Sequence, residues 1–296
     1  MNTKYIVVGL LALILIGGGA YFITQQSQDA VVVMTDEEGV MDEDGDTDGE
    51  MTDEESDTDG EMDNQDRGPE TVIGSSVGGT ELKAFHFGNG ANEILLIGGV
   101  HGSDAPSTAQ VAQEMATYYM NNENEIPAGI TLTVIPNLNP DGGAKSGASG
   151  RFNANNVDLN RNFDCEWSET AVWRNQEVSG GSRPFSEPEA QALQAYVTAN
   201  QPAAAVVWFA SEGKVYPSAC AGTPSDASVE LAATFATAAG YPAEAEFDAY
   251  AITGDMVNWM AKQGVPAISV LLTDRQSSEF NKNQAGVEAV LNQYSN

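Results

Sequence analysis

A chain of 296 residues with 43 Asp and Glu, 12 Lys and Arg and two His carries a formal charge of −31. That balance argues against a nucleic-acid partner, whose phosphates call for a basic face. The length allows one or two domains, and more than half of the net charge comes from one stretch.

Residues 1–27 open with Lys4 ahead of about twenty apolar or small residues in "MNTKYIVVGLLALILIGGGAYFITQQ", enough to cross a bilayer of about 30 Å. No small-x-small cleavage site ends the run, so it reads as a signal anchor rather than a cleaved leader. Lys4 before it and acidic residues behind it predict a cytoplasmic N-terminus and a C-terminal domain on the extracytoplasmic side of the cell membrane. Residues 28–68 supply more than half of the net charge. Such a run buries too little apolar surface to offset the entropy of ordering, and is expected to be a disordered linker. Within it Asp44, Asp46, Asp48, Gly49 and Glu55 have the spacing of a calcium-binding EF-hand loop. The flanks lack amphipathic helices, and the near-copy "ESDTDGEMDNQD" points to low-complexity duplication, which argues against calcium there.

Residues 69–296 are long enough for one sizeable core. The strand-like runs "EILLIGGV", "ITLTVIPNL", "AAVVWFA" and "PAISVLL" alternate with the helical patterns "APSTAQVAQEMATYYMNN", "SEPEAQALQAYVTAN", "SVELAATFATAAG" and "GDMVNWMAKQG". In the second helix Ser186 is the expected N-cap, with Pro188 in the first turn. Continuous apolar strands between helices predict an α/β domain whose sheet is covered on both faces. Ligands sit at the carboxyl ends of such strands, which here carry His101 and Asp104 on one side and Ala210 to Glu212 on the other. Cys165 and Cys220 are an even pair in an apparently exported domain, and a bridge is expected. It would add at most about 4 kcal/mol on the chain-entropy view; two unpaired buried thiols are the other reading.

The motifs "GGVHGSD", "NPDG", "RFNANNVDLNRNF", "PFSEPEAQAL", "YAITGDMVNWMAKQGVPAISVLLT" and "NKNQAGVEAVL" resemble, in order and rough spacing, zinc carboxypeptidases of the carboxypeptidase A type, particularly the compact bacterial members. The resemblance implies a single domain with a mixed, mostly parallel sheet and helices on both faces. It also implies a zinc held by the His and Glu of His-x-x-Glu and by a second His at a later strand end, with a Glu as general base. His101 matches the first ligand, and Asp104 stands where Glu is expected, one methylene shorter. Ala210 falls at the second His and binds no metal; Leu271 falls at the base. The family zinc is therefore the implied cofactor, and these replacements argue against it here. Arg151, Asn160, Arg161 and Tyr250 match the residues that grip a substrate's terminal carboxylate, Tyr250 being the mobile one, and Arg151 and Tyr250 are the retained members of the catalytic set.

Two histidines leave few substitutes. His86, in "LKAFHFG", reads as a satisfied strand residue. Glu212 is two residues past Ala210 and on an extended strand end faces the same way, so it is the one candidate replacement ligand or base. Ser211 lacks the first glycine of a nucleophile elbow. Three readings stand: a membrane-tethered pseudopeptidase binding peptide or cell-wall-peptide C-termini, a working zinc carboxypeptidase rearranged around Glu212, and a structural or partner-binding ectodomain with no ligand role.

Overall fold

The computed structural model describes residues 68–295. The expected anchor, the linker and its EF-hand-like repeat lie outside them. Among the described residues no helix is long and apolar enough to cross a membrane.

Seven strands form the main sheet: β1 Glu70–Ser75, β2 Glu81–Gly88, β3 Asn92–Ile97, β4 Ile130–Ile135, β7 Ala204–Ala210, β8 Lys214–Pro217 and β9 Ala267–Leu272, in the order β1-β2-β4-β3-β7-β9-β8. The central four, β4, β3, β7 and β9, run parallel, and the other three join antiparallel at the flanks. A separate antiparallel hairpin pairs β5 Thr170–Trp173 with β6 Gln176–Ser179. The four runs read as strands are these central strands.

Successive side chains of the parallel strands enter opposite cores, as a period of two requires. Ile94, Leu96, Val206, Trp208 and Val270 pack under α1 Pro106–Asn121, α4 Asp226–Ala239 and α6 Phe280–Tyr294. Leu95, Ile97, Ala205, Val207 and Ala267 pack under α3 Pro188–Asn200 and α5 Met256–Lys262. Both faces are thus covered, which is why these strands read as unbroken apolar runs. His86 on β2 lies 2.8 Å from the Thr71 hydroxyl and 3.0 Å from that of Thr133, a satisfied sheet residue.

One helix start differs from expectation. The N-cap of α3 is Glu187, not Ser186, with Pro188 at the first helical position. The Ser186 hydroxyl donates to Glu187 at 2.8 Å, while the Glu187 N–H is taken by Asn162 Oδ1 at 3.0 Å. A tertiary partner has replaced the local cap.

β3 connects forward to β4 on one side, and β7 leads to β9 on the other. The carboxyl ends of β3 and β7 therefore flank the point where the winding reverses, and open sheets bind ligands at that point.

Candidate active site

Three loops build the site. The first leaves β3: Gly98 and Gly99 carry the chain over the strand ends to His101, which precedes a single tight turn, Gly102–Asp104. The second is the short helix α2 Pro140–Gly143, from "NPDG". Asn139 caps it by accepting from Gly142 N–H at 2.8 Å and donates its amide to Val100 O at 3.1 Å and Arg151 O at 3.4 Å. One amide thereby fixes the backbones that carry His101 and Arg151. Gly102 has a positive φ of 40°, and a Cβ there would lie 2.4 Å from the Gly142 carbonyl carbon, so this packing requires glycine.

The third loop is "VDLNRNF". Asp158 is completely buried and accepts from Arg151 Nε at 2.8 Å and from Asn160 N–H at 3.1 Å. Its other side faces His101, whose Nε2 is 3.3 Å from Oδ1. Burial alone would raise the Asp158 pKa, but the Arg151 guanidinium and His101 hold it far below the usual carboxylate range. Burial, then Arg151, lower His101 to about 4, so the imidazole is neutral at physiological pH. A carboxylate behind a histidine is the arrangement that orients metal ligands, and this part of the site is in place.

The structure gives two expected carboxylate-gripping residues a further duty. Asn160 donates to Asp255 Oδ2 at 2.7 Å and accepts from Met256 N–H at 3.1 Å, which locks the start of α5. Asp255 is the N-cap of that helix, accepting from Asn258 N–H at 2.9 Å. Arg161 donates from Nε and Nη2 to Val172 O and from Nη1 to Asn160 O, so three of its five N–H groups hold backbone and two remain. Gly254, with φ 65°, lets the "YAITG" loop touch this unit; a Cβ would lie 2.1 Å from the Arg161 carbonyl oxygen. Tyr250 packs edge-on against Phe247, ring centroids 4.9 Å apart. His101, Arg151, Asn160, Arg161 and Tyr250 all line one cavity of about 270 Å³, which Ala210 and Leu271 also line. The expected disulfide is present between Cys165 and Cys220, Cα–Cα 5.7 Å, tying "NFDC" to the loop after β8.

The other half of the site departs from expectation. Asp104 does not face a metal position as a free carboxylate: Arg275 Nη1 lies 2.5 Å from its Oδ1 and 3.4 Å from its carbonyl oxygen. Ala210 and Leu271 come together on adjacent strands, in the registers Phe209 with Leu271 and Ala210 with Leu272, and offer no donor atoms. Glu212 does not join His101 and Asp104. It is exposed, accepts from Tyr216 Oη at 2.9 Å and lies 3.7 Å from Lys214 Nζ. Among the described residues no three His, Cys, Asp or Glu side chains are grouped to hold a metal ion. His101 with its supporting Asp158 fits a zinc; the rest of the donor set does not, since catalytic zinc takes three protein ligands.

Sequence reading missed Arg275, Asp158, Trp173 and Asp255. Arg275 had one visible signal, its place just past the carboxyl end of β9. Asp158 was inside a quoted motif, without a hint of its pairing.

The model of the family described as zinc carboxypeptidase matches residues 66–293. The chain belongs to that family. Murein peptide amidase A of Escherichia coli K12 is 33% identical over 119 residues, 37% of this chain and 45% of the relative. Human carboxypeptidase Z is 34% identical over 113 residues, 31% of this chain and 17% of the relative. The chain thus spans less than half the length of these curated relatives. Among solved structures, bovine thrombin-activatable fibrinolysis inhibitor aligns with a TM-score of 0.61 at 19% identity, over 76% of this chain and 88% of that one. Murein-tripeptide amidase from E. coli O157 aligns with 0.56 at 22%, over 77% and 92%. These structural likenesses establish the carboxypeptidase-like α/β fold.

Proposed function

We propose that this chain is a membrane-tethered, extracytoplasmic member of the zinc carboxypeptidase family that binds peptide C-termini, cell-wall peptides among them, without hydrolysing them. The observation that carries this reading is the division of the site: Arg151, Asn160, Arg161 and Tyr250 line the cavity, while Asp104 is held by Arg275. Arginine forks match a carboxylate bidentately. Leu271 makes the cavity floor apolar, which strengthens charge-assisted hydrogen bonds above it. Loss of a general base alone costs about 10²–10⁴-fold in rate. The murein-peptide relatives favour cell-wall peptides as ligands, and the apolar segment after Lys4 favours tethering.

Calorimetry with peptide acids and their C-terminal amides tests the clamp. Acids are expected to bind and amides not, and Arg161→Ala to weaken binding by about 1.5–3 kcal/mol; equal affinity for acid and amide ends this reading. Metal analysis after dialysis against a mild chelator is expected to find little zinc, and one tightly held equivalent would return the protein to the working peptidases. Protease added to intact cells should release the domain, and a fully protected domain would refute the topology.

A further inference from the structure

From residue 68 onward the chain has 25 Asp and Glu against ten Lys and Arg, yet four of its five arginines in that span meet in one groove. Arg151 and Arg161 line the cavity already described. Arg174 and Arg275 line a second one of about 340 Å³, which shares Trp173, Ala210, Phe247, Tyr250 and Leu271 with the first. No lysine lines either cavity.

The two further arginines are placed by specific contacts. The guanidinium groups of Arg151 and Arg174 both lie over the Trp173 ring, 4.4 and 5.2 Å from its centroid. Arg174 starts the tight turn of the β5–β6 hairpin with φ 56°, and Arg161 pins that hairpin through the Val172 carbonyl. Arg275 is held through Nη1 by Asp104, leaving the rest of its donor fork uncommitted to that carboxylate. Acidic groups are also near: Glu246 and Asp255 line the first cavity, Asp255 being engaged by Asn160 and by Asn258 N–H. Glu212 lines the second cavity and is engaged by Tyr216 and Lys214.

We propose that the second cavity is a subsite for an acidic side chain on the residue preceding the C-terminal one, with Arg174 and Arg275 as its anchors. The carboxylate that would hold a metal in the family holds a guanidinium instead, so the second cavity presents a cation to an anion. Ala210 and Leu271 form the apolar wall common to both cavities, where two carboxylates of one peptide are bound side by side. This rests on the peptide-binding reading above and adds a sequence preference to it.

The test uses the full chain and four peptides: acetyl-Ala-Glu-Ala, acetyl-Ala-Gln-Ala and acetyl-Ala-Lys-Ala as free acids, and the Glu peptide as its amide. The Glu acid should bind about tenfold tighter than the Gln acid, as for one charge-assisted hydrogen bond, and the Lys acid most weakly. Arg174→Gln and Arg275→Gln should each shrink the Glu/Gln ratio toward one. Arg275→Lys, which keeps the charge beside Asp104 but loses the fork, should retain part of it; circular dichroism checks each fold. Equal affinity of the Glu and Gln acids, with acids still preferred to the amide, overturns the subsite and leaves the clamp standing. A ratio unmoved by either arginine change also overturns it. Failure of every acid to bind overturns both readings.

Discussion

Two buried aspartates support the loops of the site, and each is paired with an arginine, but their surroundings differ. Asp158 is fully enclosed, with Arg151 and His101 against its side chain and Asn160 N–H on its oxygen. Asp104 meets Arg275, whose side chain keeps 24% of its surface exposed. Around Asp158, the residues that match the family motif also build the loops: Asn139 ties two backbones and Asn160 locks α5. Around Asp104 the altered positions 210 and 271 are strand ends packed against the two cores. An apolar residue at such a position disturbs nothing in the fold. Groups with a scaffolding duty are costly to replace, and groups whose only duty is chemistry are not.

The sharpest way to break that contrast is to neutralise each aspartate. Asp158→Asn leaves the buried Arg151 without its counter-charge and should cost about 3–5 kcal/mol in urea unfolding. Asp104→Asn leaves Arg275 with access to water, so the loss should be smaller, about 1–2 kcal/mol, the scale of one charge-assisted hydrogen bond. Equal losses would show that the two halves are scaffolded alike. The next effect concerns the disulfide, which secures the Asp158 side. Cys165→Ser with Cys220→Ser should cost about 2–4 kcal/mol, read as a lower midpoint of denaturation. An unchanged midpoint would mean that the loop after "NFDC" is held by its other contacts.

The sequence was most legible where one residue's chemistry reports its own environment. The four parallel strands were plain because burial on both faces leaves apolar runs, and "VDLNRNF" with "NPDG" marked the site. Pairings across distance were not legible. Asp104 and Arg275 are 171 positions apart, and nothing in "LLTDRQ" says which carboxylate its arginine meets. The β5–β6 hairpin escaped because its turn is Arg174-Asn175, without the Asn-Gly or Asp-Gly signal that usually supplies positive φ. Glu212 looked like a substitute ligand because strand alternation was continued past the end of β7. The strand stops at Ala210, and the side chain is drawn to Tyr216 and Lys214.

The smallest expected effect separates Asp158 from its neighbour Asp255. Burial raises the Asp255 pKa above 3.8, against the opposing pull of Asn258 N–H, Arg161 and Asn160. The folded state then binds a proton at a pH where the unfolded chain has released it. The contribution of Asp255 is greatest below the unfolded value and is lost as pH rises through the folded one. Asp158 has the opposite sign: its contribution is present above the unfolded value and is lost only as pH falls toward its depressed folded one. Just above pH 3.8 Asp255 therefore acts without Asp158. His101 titrates between 6.5 and about 4, but it does so in the wild type and in a variant alike, so a difference between them removes it. Asp255→Asn keeps an oxygen for Asn258 N–H and should change stability at pH 7 by about 1 kcal/mol or less, the scale of one hydrogen bond. Urea unfolding at pH 4.5, 5.5 and 7 should show the wild type gaining on the variant as pH falls. A difference independent of pH would mean that Asp255 ionises as it does in the unfolded chain.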